Sequence, residues 1–236
     1  MRVAVMRAAA DGRRTAAHLA ARGHAAVLAP VLTIVATGAC LRPETTGGLI
    51  FTSVQAPRVL TTHADRAALL DLPCWCVGPQ TAAAARTAGF KRIHVGEGDA
   101  ASLARAILAT GADTRWTLAA GRDRKPTLER ALSSAGLALT VVEVYAAEAA
   151  TPWTSAIVTD LATASAALHF SARSASLAVD FAATAGLADR FRAWSHVCLS
   201  DDVASVLRDA GVMDVRPASH PDEPSLLALL GSRAVV

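Results

Sequence analysis

The feature that most narrows the fold of this chain is an alternation. Apolar runs of about four to seven residues, cut by Gly, Pro, Asp or Arg, take turns with helix-patterned segments of about 9 to 12 residues. Val3 to Met6, Ala25 to Leu28, Leu49 to Thr52, Cys74 to Val77, Ile93 to Val95, Trp116 to Ala119 and Leu139 to Val144 read as strands, followed by Ala167 to Phe170, His196 to Leu199 and Asp214 to Pro217. Helices are expected at Arg13 to Arg22, Val54 to Thr61, Pro79 to Ala88, Ala100 to Ala109, Pro126 to Ala135, Arg173 to Ala185, Asp202 to Ala210 and Asp222 to Leu230. Several meet a glycine past the last turn, as at Gly89, Gly111 and Gly136, where a left-handed cap is wanted. Strand, helix and strand in regular succession imply parallel sheets covered on both faces.

The second half of the chain repeats the first. Leu49-Ile-Phe-Thr-Ser lies over Leu168-His-Phe-Ser-Ala, and further on Ala82, Arg86 and Gly89 fall on Ala204, Arg208 and Gly211. Asp99 with Ser102 and Leu103 recurs as Asp222 with Ser225 and Leu226. Either an internal duplication or the common grammar of βα units produces such a match. Both lead to one architecture. Residues 1–35 are too few to bury a core, whereas 38–144 make a complete unit. The expectation is therefore an α/β fold of two doubly wound parallel-sheet domains of similar build, joined by a two-stranded hinge. A domain of 38–144 is inserted into a discontinuous domain of 1–35 and 149–236, with 36–37 and 145–148 as the hinge.

Composition excludes several functions. Hydrophobic residues are 53% of the chain, yet no run approaches the roughly 20 needed to span a bilayer. The opening apolar run meets Arg7 too soon for a secretory signal, so a cytoplasmic protein is expected. Net charge is +3 and Lys91 and Lys125 are the only lysines, without the clustered basic stripe of a nucleic-acid binder. An anionic small molecule fits this mild basic balance better. Cys40, Cys74, Cys76 and Cys198 lack paired metal spacing and read as free thiols. None of the seven histidines pairs at i, i+4 with another ligand type, so no metal is expected. The phosphate loop, the dinucleotide fingerprint and the GxSxG elbow are all missing from the sequence.

In doubly wound sheets ligands gather beyond the carboxyl ends of the strands. The loops there begin with Arg7, Thr52-Ser53, Gly78 to Thr81, Gly121 to Lys125, Ser171 to Ser174, and Ser200 to Asp202. Small, hydroxyl and Gly residues dominate. Each Ser or Thr alone suits a helix N-cap; together they suit the walls of a cleft between two domains. Tyr145, the single tyrosine, follows the last strand of the middle unit, either packed at the domain junction or overhanging the cleft. With a phenol pKa of about 10 it would donate a proton at neutral pH.

Phe51-Thr-Ser, Val77-Gly-Pro-Gln-Thr-Ala with Gly89-Phe, Tyr145 after an apolar strand, Phe170-Ser-Ala-Arg-Ser-Ala and Pro221-Asp-Glu-Pro-Ser-Leu-Leu follow one another along the whole chain. In that succession the chain resembles the uroporphyrinogen-III synthase family. It departs at Ala8, where the family often has Pro, and at Val54-Gln55, where a polar or basic pair is more usual. The resemblance implies a lyase of tetrapyrrole (haem) biosynthesis that needs no cofactor and binds no nucleic acid or membrane. Its substrate would be linear hydroxymethylbilane, closed to uroporphyrinogen III with loss of water and inversion of the terminal pyrrole. Tyr145 would be the catalytic donor to the departing hydroxyl. Ser53, Gly78, Thr81, Ser171, Ser174 and Ser200 would line the substrate site, and Arg7, Arg124 and Lys125 would add positive charge. A monomer is expected. Two rivals stand beside this reading: a non-catalytic tetrapyrrole-binding or regulatory module of the same fold, and a generic two-domain small-molecule binder.

Overall fold

The computed structural model describes residues 1–111 and 114–231. The chain separates into two units, Met1–Thr33 with Glu148–Val236, and Ile34–Ala147.

The chain opens with β1 (Arg2–Val5), α1 (Ala9–Ala20) and β2 (Ala25–Leu28), and β3 (Leu32–Ala36) carries it into the second unit. There follow β4 (Gly48–Phe51), α2 (Gln55–Val59), α3 (Arg66–Leu69), β5 (Pro73–Cys76), α4 (Pro79–Ala88), β6 (Arg92–Val95), α5 (Ala100–Ala109), β7 (Trp116–Gly121) and α6 (Thr127–Ser134). The long β8 (Leu139–Ala149) brings the chain back. The outer unit is completed by α7 (Ser155–Leu161), β9 (Ala166–His169), α8 (Ala172–Thr184), α9 (Ala188–Arg192), β10 (Ser195–Cys198), α10 (Asp201–Asp209), β11 (Val215–Pro217) and α11 (Glu223–Ala228).

Each unit holds one sheet. The outer one has the order β11-β10-β9-β1-β2, with every pair parallel. The inner one has the order β3-β8-β7-β4-β5-β6, parallel from β8 to β6. If β3 is set aside, the two orders superimpose: β11-β10-β9 matches β6-β5-β4, and β1-β2 takes the place of β7-β8. The sheets are one design with the chain entering at different strands, which is the physical content of the repeat. In both, the strand order reverses beside the first strand of the repeat, between β9 and β1 and between β4 and β7. Such a reversal opens a crevice at the carboxyl ends.

Both faces of each sheet are covered, as the parallel pattern requires. Side chains alternate along a strand, so Ala4 of β1 joins a core with Ala175, Ala178 and Ala182 of α8 and Leu207 of α10, while Val3 and Val5 join Leu19 of α1 and Leu226 and Leu227 of α11. In the inner sheet Leu49 and Phe51 face Ala82 and Ala85 of α4, and Ile50 faces Leu103, Ile107, Leu128 and Leu132 of α5 and α6. Alanine at the sheet-facing helix positions lets helix and sheet approach closely. Gly48 makes room in the same way: a Cβ there would stand 2.3 Å from the Trp116 ring.

Several elements differ from the sequence reading. Helix α1 starts at Ala9 rather than Arg13, because Asp11 and Gly12, which resemble a loop, sit in its first turn. The carboxylate there meets the positive end of the helix and the guanidinium groups of Arg7 and Arg14. The segment Val54 to Thr61 is α2 closed by a 3-10 turn at Leu60–Thr62. The strand expected to end at Val144 continues to Ala149, so Tyr145 lies within β8. Strand β3 and helices α3, α7 and α9 were outside the sequence expectations; α3 and α9 are single turns whose apolar content is too short to show a period.

Candidate functional site

In the inner unit, β4 ends at Phe51 and its loop, Thr52-Ser53-Val54, lies beside the start of α4. A cavity of about 510 Å³ opens there, lined by Thr52, Ser53, Val54, Val77, Gly78, Pro79, Gln80, Thr81 and Gly98. Gly78 is the N-cap residue of α4, and no side chain caps it; Pro79 occupies the first turn. The backbone N–H groups of Gln80 and Thr81 are therefore left at a positive helix end beside the cavity. Helix α5 is different, since the Asp99 carboxylate accepts from Ala101 and Ser102 N–H at 2.8 Å each. Those hydrogen bonds hold the Asp99 carboxyl below the usual carboxylate range. Thr81 is buried and Ser53 half-buried, its Oγ accepting from Gln55 N–H at 3.2 Å.

A second cavity, of about 320 Å³, shares Thr52 and Ser53 with the first and is further lined by Gly121, Asp123, Arg124, Lys125, Thr127, Glu129 and Tyr145. A register shift at Ala120/Gly121 sets Gly121 opposite Tyr145, whereas Ala120 pairs with Glu143. Tyr145 packs at the margin of the core that contains Phe51. Arg124 is held by its own unit: its Nε donates to Glu129 at 2.7 Å, and its Nη1 to Glu143 at 3.0 Å and to the Gly121 carbonyl at 3.0 Å. The hydrogen bond to Glu129 is the main reason its pKa is raised. Its charge is thus paired with carboxylates of α6 and β8. Lys125 is exposed and has no ion pair among the described residues, which leaves it as the cation of this cavity.

Arg7, Ser171, Ser174 and Ser200 stand at the carboxyl ends of β1, β9 and β10 in the outer unit. Arg7 pairs with Asp11 at 3.7 Å and Glu223 at 3.4 Å, donates to Thr15 Oγ1, and lies 4.0 Å over the Phe170 ring. Burial lowers its pKa, and the two carboxylates work against that shift. Ser171 caps α8, accepting from Ser174 N–H at 3.1 Å, and Ser174 Oγ is buried and donates back to the Ser171 carbonyl. Ser200 begins α10 with no side-chain cap bond, and Asp201 and Asp202 fill the first turn. Those acids make this helix end a poorer anion site than that of α4.

Of the residues singled out from sequence, the structure gathers Ser53, Gly78 and Thr81 around one cavity and Ser53, Arg124, Lys125 and Tyr145 around the other. Sequence reasoning missed Gly98, Glu129 and Glu143. Glu129 was visible as the first-turn acid of α6; Glu143, two residues before the tyrosine on one strand, carried no signal. No cluster of three or more metal-ligating side chains exists among the described residues, and no described helix is long and apolar enough to cross a membrane. The described cysteines are free. His169 and His196, distant in sequence, stack in the outer core with His169 Nε2 2.9 Å from His196 Nδ1.

The family model described as uroporphyrinogen-III synthase HemD matches residues 13–228. A search of curated proteins returned no match. Among solved structures, the uroporphyrinogen-III synthetase of Helicobacter pylori 26695 superimposes with a TM-score of 0.62 at 14% identity, covering 98% of each chain. A selenomethionine mutant of the uroporphyrinogen III synthase of the extreme thermophile Thermus thermophilus gives 0.51 at 17% identity, covering 98% of this chain and 97% of that one. At those identities the superpositions speak for the fold, whereas the family match spans most of the sequence. The chain belongs to the uroporphyrinogen-III synthase family.

Proposed function

We propose that this chain closes hydroxymethylbilane to uroporphyrinogen III with loss of water, acting in tetrapyrrole synthesis without a cofactor. Beyond family membership, one observation carries the reading: the uncapped start of α4 borders a cavity that shares Thr52 and Ser53 with the cavity holding Tyr145. The substrate bears acetate and propionate carboxylates on every pyrrole, so it needs anion-binding backbone and an apolar seat together. The first cavity offers both, with Gln80 and Thr81 N–H groups beside Val54, Val77 and Pro79. Lys125 adds a cation at the second. Arg124 and Arg7 act through structure, each holding a loop at a strand end. Ser171, Ser174 and Ser200 are further candidates for substrate contacts from the outer unit.

The chemistry asks little more of the protein. When Tyr145 donates its phenolic proton, the substrate hydroxyl leaves as water and the methylene carbon becomes the electrophile. The terminal pyrrole attacks it through the carbon that already bears a bridge. At the resulting spiro centre the original bridge bond breaks, its methylene carbon rejoins the ring at the free α-carbon so that the ring is inverted, and the proton lost there on rearomatisation balances the one donated. The free molecule closes without inversion, so the protein's task is to hold the fold that favours the other isomer.

The experiment is to supply freshly generated hydroxymethylbilane to the purified protein and separate the oxidised type I and type III uroporphyrins by chromatography. Predominant type III is expected. Type I alone, at the protein-free rate, would overturn the synthase reading and favour a binding module of this fold.

A further inference from the structure

Gly121 occupies an unusual place. It is the last residue of β7 and lies opposite Tyr145 across the register shift. A Cβ built on it would fall 2.6 Å from Cζ, 2.7 Å from Cε2 and 2.8 Å from the hydroxyl oxygen of Tyr145. Those three nearest atoms all belong to the one phenol, so the hydroxyl end of the ring lies directly on the bare Cα of Gly121. The backbone at Gly121 is outside the left-handed region that would by itself call for glycine. The missing side chain is therefore required by the ring alone. Any other residue here drives the phenol off its seat by about an ångström, because carbon–carbon contacts are comfortable only near 3.5 to 4.0 Å.

The seat is tied to the strand that carries the tyrosine. Arg122 N–H donates to the Tyr145 carbonyl at 2.9 Å. Arg124 then bridges the two strands, donating to the Gly121 carbonyl and to Glu143, two residues before Tyr145 on β8. The loop end and the tyrosine thus move together.

We infer that Gly121 is a positioning residue that sets the height and direction of the Tyr145 hydroxyl, with Arg124 and Glu143 fixing the seat against β8. The inference rests on the proposed role of Tyr145 as proton donor. A donor displaced by about an ångström from its acceptor loses on the order of ten- to a hundredfold in rate.

Tyr145 is the only tyrosine, so ring-labelled protein gives one set of phenol resonances. In the wild-type protein, nuclear Overhauser contacts between those ring protons and the Gly121 α-protons are expected; their absence overturns the seat whether or not any variant folds. Gly121→Ala is expected to lower kcat about ten- to a hundredfold, leave KM within about twofold and shift the Tyr145 resonances. Within a Tyr145→Phe background the same substitution is expected to cost less than about twofold, because the proton donor it displaces is already gone. Equal losses in both backgrounds would overturn the inference, as would full turnover by Gly121→Ala. Wild-type protein that forms only type I product would instead sink the synthase reading itself.

Discussion

Acidification tests the outer core through His169 and His196. Both are fully buried, and their rings stack 5.1 Å apart. The Phe191 carbonyl can only accept, so the 2.7 Å contact with His196 Nε2 puts the proton on that nitrogen. His196 Nδ1 must then accept from His169 Nε2–H, which leaves His169 Nδ1 buried with a lone pair and no partner among the described residues. Charging His169 would put a proton on that nitrogen in a low-dielectric pocket beside a second imidazole. Desolvation, with the neighbouring His196, accordingly holds its pKa well below 6.5, and burial also lowers that of His196, with the Phe191 hydrogen bond and Asp214 opposing.

The sign follows from linkage. Below pH 6.5 the unfolded chain takes up a proton on His169 that the folded unit refuses, so stability is full above that pH and falls as the solution is acidified. With an unfolded pKa of about 6.5, one such site can cost no more than about 1.4 kcal/mol at pH 5.5. His196 adds to the loss in the same direction. Hydrogen exchange of the β9 and β10 amides, corrected for intrinsic rates, reads the opening free energy of this unit. His169→Gln keeps a donor to His196 Nδ1 but cannot titrate. Its stability is expected to fall less between pH 7.5 and pH 5.5 than the wild type's, by up to about 1.4 kcal/mol. Equal pH dependence in the two proteins would refute the reasoning.

Tyr145→Phe should lower the rate of type III formation by about 10² to 10⁴ with thermal stability nearly unchanged, and full turnover would remove it from catalysis. Ser171→Ala deletes the oxygen that accepts Ser174 N–H, for a loss of about 1 kcal/mol in urea denaturation; unaltered stability would mean that α8 does not depend on that cap. Gly48→Ala forces a methyl to within 2.3 Å of the Trp116 ring and should cost about 1 to 3 kcal/mol, read as a lowered urea midpoint. A midpoint at the wild-type value would show that the ring moves aside freely.

The α/β class, most of the strands and the repeated run from β4 to β6 and from β9 to β11 were legible because each depends on local pattern. A strand shows itself in a short apolar run, a helix in the spacing of its buried alanines and leucines, and its end in a glycine such as Gly89, whose φ is 98°. The loops at the strand ends were legible for the same reason, since a hydroxyl or glycine after an apolar run is a local signal. Ser53, Gly78, Thr81 and Tyr145 could be named from it. What each loop residue does was not legible. That Arg7 is held by Glu223, 216 positions away, and that Ser171 caps α8 is seen only in the folded chain.

By itself, then, the sequence determined which segments are strands and helices, the two-fold recurrence of a βα run and the chemical character of the strand ends, because these are set within a few neighbouring residues. Only the tertiary structure decided that β1 and β2 take the positions of β7 and β8 in a permuted sheet, that Glu129 and Glu143 claim the charge of Arg124, and that Gly121 is the floor beneath Tyr145. Each of those depends on which surfaces meet when both faces of a sheet are buried, and that choice is made by packing between residues far apart in the chain.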